Sequence, residues 1–174
     1  ASARGAAVAS PNSHLGFSVA VGDYDRDGWL DLHTTEWRPF PRGSTDNPRS
    51  HARLLRNRGP EAPGFFEDTT EAAGAEAPVL GSADGDGPFG HFSFASAFVD
   101  LDEDGWQDLT IVSDFGGSRL FWNRGDGTFV DGSEAAGLTA HPTKGLALVL
   151  GDIDWDGDID AFVANDSTRN LLFV

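Results

Sequence analysis

The sequence predicts an all-β fold made of about three repeated units, each corresponding to one blade of a β-propeller. A stretch rich in aspartate and glycine occurs three times, each copy follows a short apolar run, and similar turn motifs come after it. About four short strands per unit of roughly 50 residues is typical of propeller blades. A β-sandwich is the structural alternative, but it does not require the aspartate stretch to recur at a fixed place in every unit.

The repeats align through their apolar runs and their turns. Repeat one spans residues 14–76, repeat two spans 91–140 and repeat three spans 141–174. The runs FSVAV, LTIVS and LALVLG are rich in β-branched, aromatic and other large apolar residues and predict strands. The motif NRGDGTF in repeat two predicts a tight hairpin, and its beginning recurs in repeat one as NRG. TEAAGA and SEAAGL predict single helical turns that end at glycine.

Two segments rich in proline, glycine and serine interrupt this pattern and predict loops. One is an insertion in repeat one at about residues 38–52, and the other separates repeats one and two at 77–90. Residues 1–13 are predicted to form a loose leader of small residues. Because position 1 is not methionine and repeat three is truncated, we expect a fragment, a processed product or a subunit, completed by further blades or partner subunits.

Composition excludes several classes of function. The formal net charge is −16, which disfavours binding to the phosphate backbone of nucleic acids and docking on anionic lipid. The chain has no cysteine, so disulfides, thiolate metal sites and thiol nucleophiles are excluded together. No apolar run is long enough to span a bilayer, and we expect no direct membrane insertion.

The three aspartate stretches predict cation sites. When each loop is numbered from its first aspartate, side-chain oxygens stand at positions 1, 3, 5 and 9, and glycine stands at position 6 (Gly28, Gly105 and Gly157). Carboxylates that converge on one point repel one another unless they take up protons or bind a cation. Calcium takes six to eight oxygen ligands in flexible geometry, whereas magnesium requires a stricter octahedron. We therefore expect about three Ca²⁺ ions.

The EF-hand is a competing interpretation because its loop also begins D-x-D-x-D-G. It requires a glutamate at position 12 and a helix on either side. Position 12 is occupied here by Thr34, Ile111 and Val163, and the flanking segments are predicted strands. The sequence therefore excludes an EF-hand at all three loops.

The loops resemble the calcium loop of FG-GAP/VCBS-type propeller repeats, D-x-D-x-D-G-x-x-D-[LI]. NRGDGTFVDGSEAAGL and KGLALVLGDIDWDGDIDAFVANDSTRNLLF are similar to bacterial relatives of the cartilage acidic protein (ASPIC/UnbV-associated) family, and the resemblance covers nearly all of residues 14–174. It implies ligation by the side chains at positions 1, 3, 5 and 9 and by the main-chain carbonyl at position 7. The implied ligands are Asp23, Asp25, Asp27, Trp29 and Asp31 in the first loop, Asp100, Asp102, Asp104, Trp106 and Asp108 in the second, and Asp152, Asp154, Asp156, Asp158 and Asp160 in the third. The third loop departs from the pattern at Ala161, where leucine is usual, and at position 7, where it carries an additional carboxylate.

These observations favour a calcium-binding propeller segment that acts outside the cytoplasm, in the periplasm or secreted, as a scaffold or interaction module. The expected partners are other protein subunits or further blades, and not nucleic acid. An enzyme is the rival class, because some propellers with such repeats act on polysaccharides as lyases or hydrolases. A third interpretation is a glycan-binding module that uses Trp37 and Trp155.

Three further motifs have weaker interpretations. The tripeptide RGD at 124–126 falls in the predicted hairpin, so its position explains it structurally. The five histidines are scattered without a catalytic or metal-binding spacing. His33, Glu36, Trp37 and Arg38 follow the first loop, and they are the first place where we expect a ligand-binding rim.

Overall fold

The computed structural model describes residues 15–39, 52–77, 80–81, 88–140 and 143–174. These residues form strands and turns, with one short 3-10 helix at Gly59–Glu61. The predicted all-β fold is confirmed. The strands are β1 (Leu15–Gly22), β2 (Asp31–Pro39), β3 (Arg53–Asn57), β4 (Phe66–Asp68), β5 (Leu80–Gly81), β6 (Pro88–Val99), β7 (Asp108–Ser113), β8 (Arg119–Asn123), β9 (Phe129–Asp131), β10 (Gly145–Gly151), β11 (Asp160–Asn165) and β12 (Leu171–Phe173).

The strands form three antiparallel units in chain order. The first is β1–β2–β3–β4, the second is β6–β7–β8–β9, and the third is β10–β11–β12. Each unit is a meander of sequence neighbours, which is the arrangement of a propeller blade. The described strands are therefore an incomplete propeller of three blades, fewer than the roughly four to eight of closed rings.

Strand β6 joins the first two blades into one sheet. Its early residues pair with the end of β2, with Phe92 opposite Trp37, and its later residues pair with β7 from Ser93 onward. Strand β5 pairs with the beginning of β6. The segments predicted as loops at 38–52 and 77–90 thus include strand residues, at 38–39 in the first and at 80–81 and 88–90 in the second. Residues 40–51, 78–79 and 82–87 of those two segments, and the leader at 1–13, lie outside the described residues.

The core lies between the first and second blades. Tyr24, at position 2 of the first loop, is buried, and its ring lies 5.6 Å from the ring of Phe129 on β9 and 6.3 Å from that of Phe98 on β6. Every residue of β7 is buried, because this strand lies inside the second blade. The buried cluster is completed by Leu54, Ala73, Ala75, Ala77, Leu109, Ile111 and Phe121.

The helical turns predicted at TEAAGA and SEAAGL are confirmed as single turns. In the first, the Ala73 amide donates to the Thr69 carbonyl, and the Ala75 amide donates to the Thr70 carbonyl across Gly74. The second repeats the pattern and ends at Gly137. Both glycines have φ near +75°, which is the usual way to end a helical turn.

Among the described residues, no helix has the length and apolar character needed to cross a bilayer.

Candidate metal centre

Each aspartate loop connects the first two strands of its blade. The first loop (residues 23–31) joins β1 to β2, the second (100–108) joins β6 to β7, and the third (152–160) joins β10 to β11. Position 9 is also the first residue of the following strand in every case, at Asp31, Asp108 and Asp160. The loops thus occupy the same place in all three blades, with strands on both sides.

The structure brings three carboxylates together in each loop. Within every cluster, one oxygen from each of the three side chains lies within 4.8 Å of the others. This spacing is compatible with oxygens that share one cation at roughly 2.3–2.6 Å. The clusters are Asp23, Asp25 and Asp27 in the first loop, Asp100, Asp102 and Asp108 in the second, and Asp152, Asp154 and Asp160 in the third.

The implied ligands outside these clusters are Asp31, Asp104, Asp156 and Asp158. The Asp104 and Asp156 carboxylates each accept the amide of position 7 in their own loop, at 2.8 and 3.1 Å. Ligation at all three loops, including ligation by the position 7 carbonyls of Trp29, Trp106 and Asp158, stays a prediction.

The backbone of the three loops is folded in the same way. Position 6 has positive φ in all of them, at 88° for Gly28, 90° for Gly105 and 109° for Gly157, so glycine avoids the strain that a side chain would bring. Position 4 also has positive φ, at Arg26, Glu103 and Trp155. The sequence indicated the first of these features but not the second, because position 4 carries three unrelated side chains.

Position 9 is the buried end of each loop. Asp31, Asp108 and Asp160 are almost fully buried, and each accepts the amide of position 2 in its own loop. Burial away from water raises the pKa of Asp31 to about 7 and that of Asp108 to about 6, although backbone amides that donate to both oppose the shift. Without a cation, these two carboxyls therefore hold protons well above the usual range of aspartate.

Position 1 contributes an oxygen without a hydrogen-bond partner in two of the loops. Asp23 Oδ2 accepts the Gly28 amide at 3.0 Å, and Asp100 Oδ2 accepts the Gly105 amide at 2.9 Å. The other oxygen of each side chain, Oδ1, is buried and has no partner among the described residues. A buried carboxylate oxygen without a partner is costly, and a hard cation would satisfy it. The donor set therefore fits a calcium ion.

The recurring NRG motif supports the loops from the third strand of its blade. The Asn57 and Asn123 amides donate to position 9 of their loops at 2.7 and 2.9 Å. Their side-chain amides donate to the carbonyl of position 8, and their side-chain oxygens accept from Gly59 and Gly125. The motif recurs in the sequence at the same place after each of the first two loops, and this recurrence is the signal from which its contact with the site could have been predicted.

The glycines of the NRG motifs make room for the tryptophans at position 7. A Cβ atom on Gly59 would lie 2.9 Å from the Trp29 ring, and one on Gly125 would lie 2.9 Å from the Trp106 ring. The first two residues of the RGD tripeptide therefore belong to the NRG motif that packs against the second loop. The third, Asp126, caps the β8–β9 turn by accepting from the Thr128 amide at 3.0 Å.

The first loop is also attached to the second blade. Gln107 Oε1 accepts the Asp23 amide at 2.9 Å, and the Asn123 side chain donates to the Tyr24 carbonyl at 2.9 Å. The Arg26 guanidinium lies 5.1 Å from the centroid of the Trp106 ring, within the range of a cation–π contact. Sequence reasoning missed these contacts because they join residues of different repeats.

An arginine distinguishes the first loop from the second. Arg56 on β3 pairs with the Asp25 carboxylate through Nε and with Asp27 Oδ2 through Nη2 at 2.9 Å. The residue before asparagine in the second NRG motif is Trp122. This ion pair was also absent from the sequence-based expectations, because nothing in the spacing places β3 beside the loop.

The expected rim after the first loop is wrong for two of its residues. His33 and Glu36 are buried, since β2 lies inside its sheet between β1, β3 and β6. Burial lowers the pKa of His33 to about 3, and its Nδ1 lies 2.9 Å from Ser96 Oγ. Trp37 packs edge-on against Phe92, and the side chain of Arg38 lies outside the described part.

Comparison with known proteins agrees with this architecture. A family model described as an FG-GAP-like repeat matches residues 100–163, from the second loop to β11. Human cartilage acidic protein 1 is 38% identical over 67 residues, which is 38% of this chain and 10% of that protein. The chain thus spans about a tenth of the length of this relative. Residues 100–163 are thus similar to the FG-GAP-like repeat family, and the chain is similar in part to cartilage acidic protein 1.

Proposed function

We propose that this chain is a calcium-binding propeller segment that acts outside the cytoplasm as a scaffold or interaction module. The observation that carries the proposal is the convergence of three carboxylates at the same place in all three blades. One acidic loop is a common surface feature, but three loops with the same glycine and the same buried position 9 share a geometric requirement. A cation at the centre of each loop meets that requirement.

Calcium suits these loops better than magnesium. All of the proposed ligands are oxygens, and the loops are irregular segments with no imposed octahedral symmetry. With the net charge of −16, each bound Ca²⁺ also relieves repulsion that the folded chain otherwise bears. Bound between the first two strands of a blade, the ion ties their ends together, so its binding energy adds to the stability of the fold.

The test is a thermal melt of metal-stripped protein with and without calcium. One site at a free calcium concentration of 100 times its Kd adds about 2.7 kcal/mol, so we expect Tm to rise by at least roughly 5 °C. Magnesium at the same concentration should produce a smaller rise. An unchanged melt at 10 mM calcium contradicts the proposal.

Paired variants assign the effect to the loops. Asp100→Asn removes charge at position 1 of the second loop, and Glu134→Gln removes the same charge from an exposed turn of the same blade. The first variant should lose about one third of the calcium-induced stabilisation, and the control should keep all of it. Equal losses would mean that calcium acts through net charge and not through the loops.

The location outside the cytoplasm follows from calcium availability. Extracellular modules bind calcium with Kd values of about 10⁻⁴–10⁻³ M, and loops as exposed as the third suit such affinities. The measurement is cell fractionation of the native protein followed by detection with an antibody. Recovery of the protein in the cytoplasm would refute this part of the proposal.

Exposed apolar side chains support the role as an interaction module. Val19 and Val21 on β1 and Val149 on β10 are each more than half exposed. Exposed apolar groups on first strands of blades are a surface for partner subunits or further blades. Sedimentation of the calcium-loaded chain should therefore reveal self-association or association with a partner, and a stable monomer at high concentration would contradict it.

A glycan-binding role is the second candidate, and it rests on Trp155. This residue, at position 4 of the third loop, is 90% exposed, whereas buried aromatic rings fill the core of the blades. Exposed tryptophan rings suit stacking against sugars. Binding on a glycan array that is lost in Trp155→Ala would favour this function, and an array without binding would leave the scaffold role.

A further inference from the structure

We infer that Arg56 is a built-in competitor for the cation of the first loop, so that this loop is the weakest of the three calcium sites. This inference rests on the proposed calcium function and adds that the three sites are unequal. The juxtaposition that carries it is a guanidinium paired with two of the three clustered carboxylates.

The ion pair uses oxygens that a cation would need. Arg56 takes Asp25 Oδ2 and Asp27 Oδ2, while Asp25 Oδ1 and Asp27 Oδ1 accept the amides of positions 5 and 7. All four oxygens of these two side chains therefore already have a donor. Among the three clustered side chains of this loop, Asp23 has a buried oxygen, Oδ1, without a hydrogen-bond donor in the described part of the chain.

The other two loops lack this competitor. Among the described residues, no arginine or lysine forms an ion pair with a carboxylate of the second or third loop. Trp122 stands where the second blade would carry the equivalent of Arg56, and its indole lies against Gly132, which directly follows β9. A cation that binds to the second or third cluster therefore does not have to displace a paired guanidinium.

The structure also leaves room for the Arg56 side chain to move away from the first loop when a cation binds there. It borders a cavity of about 490 Å³ that Asp126 lines as well. Glu67 stands opposite Arg56 in the pairing of β3 with β4, which places a second carboxylate near it. Calcium binding to the first loop is thus an exchange of one cation for another, and its affinity is lowered by the strength of the pair that it breaks.

The inference predicts two opposite effects of removing the guanidinium. Arg56→Met leaves the carboxylates of the first loop unpaired, so the metal-free protein should become less stable. The same change should raise calcium affinity at the weakest site about tenfold, because one positive charge at contact distance is removed. A merely structural arginine would lower stability without tightening calcium binding.

The experiment is isothermal titration of the full chain with calcium, together with thermal melts of the metal-free protein. The wild type should show two tighter sites and one weaker site, and Arg56→Met should tighten only the weaker one. Arg58→Met is the control, since Arg58 has the same charge, lies two residues away and contacts Glu61 at 3.7 Å. Adding Asp25→Asn to Arg56→Met should abolish the gain and assign it to the first loop.

The outcomes separate this inference from the function on which it rests. If no calcium binds at any site, both are overturned. If calcium binds and Arg56→Met leaves the weakest site unchanged, the inference alone is overturned. If Arg56→Met does not fold, Arg56→Lys applies the same test, because an ammonium group cannot hold both carboxylates in fork geometry. The calcium affinity of the weakest site should then rise about threefold. An unchanged affinity overturns the inference.

Discussion

Replacement of Asn123 by alanine measures how strongly the second blade holds the first calcium loop. The side chain is buried and makes three hydrogen bonds. It donates to the Tyr24 carbonyl of the first loop at 2.9 Å, donates to the Gln107 carbonyl at 2.8 Å, and accepts the Gly125 amide at 2.9 Å. Only the first of these bonds crosses between blades.

Asn57 is the matched comparison because it makes the equivalent bonds without the cross-blade one. It donates to the Leu30 carbonyl and accepts the Gly59 amide, both at 3.0 Å. Each buried hydrogen bond is worth about 1 kcal/mol net, and more when its partner is left unsatisfied. We therefore expect Asn123→Ala to cost about 3 kcal/mol and Asn57→Ala about 2 kcal/mol of unfolding free energy.

The assay is urea denaturation of metal-free protein, followed by tryptophan fluorescence and by circular dichroism. The difference of about 1 kcal/mol between the variants is the contribution of the cross-blade bond. In Tm, the larger loss corresponds to a fall of roughly 6–12 °C for a chain of this size. Equal losses in the two variants, or a larger loss in Asn57→Ala, would refute the idea that Asn123 couples the blades.

Two other predictions follow from the loops. Gly125→Ala should be clearly more destabilising than Gly137→Ala. Both glycines have φ near +75°, but only at Gly125 would a Cβ atom meet a ring, that of Trp106. Similar unfolding free energies of the two variants would contradict this reasoning. The second prediction concerns pH. Since burial raises the pKa of Asp31 to about 7 and that of Asp108 to about 6, from the usual 3.8 of aspartate, the metal-free folded state holds protons that the unfolded chain has lost. Their contribution to stability is therefore present below about pH 4 and is lost as pH rises towards 7. Melts of metal-stripped protein at pH 5 and pH 7.5 should show this loss, and Asp31→Asn should reduce it; saturating calcium should reverse the trend, because it holds the carboxylates ionised.

Much of the candidate site could be predicted from short-range spacing. Aspartate at positions 1, 3, 5 and 9, with glycine at position 6, specifies a loop whose donors and turn lie within nine residues, so no distant contact is needed to recognise it. The same holds for the helical turns that end at Gly74 and Gly137, whose hydrogen bonds all fall within six residues. Strand-like flanks then excluded the EF-hand without any knowledge of the fold.

The contacts that make the three loops unequal could not be predicted in this way. Arg56 lies 29 residues from Asp27 in the chain, and Gln107 lies 84 residues from Asp23. His33 was expected near a rim because it follows the first loop, yet β2 is covered by strands on both sides, and burial decides the state of its side chain. The separation of two residues along the chain does not predict which strands lie next to each other in the fold.

The sequence by itself determined the three repeats, the all-β architecture and the position of each acidic loop, because these depend on local propensity and on spacing within one repeat. Only the tertiary structure decided which carboxylates converge, which oxygens are buried without a partner, and that a guanidinium enters the first cluster. These properties depend on how strands from different parts of the chain pack, and packing sets the distance, the burial and the dielectric environment of each charge. The three similar loops are therefore placed in three different electrostatic settings.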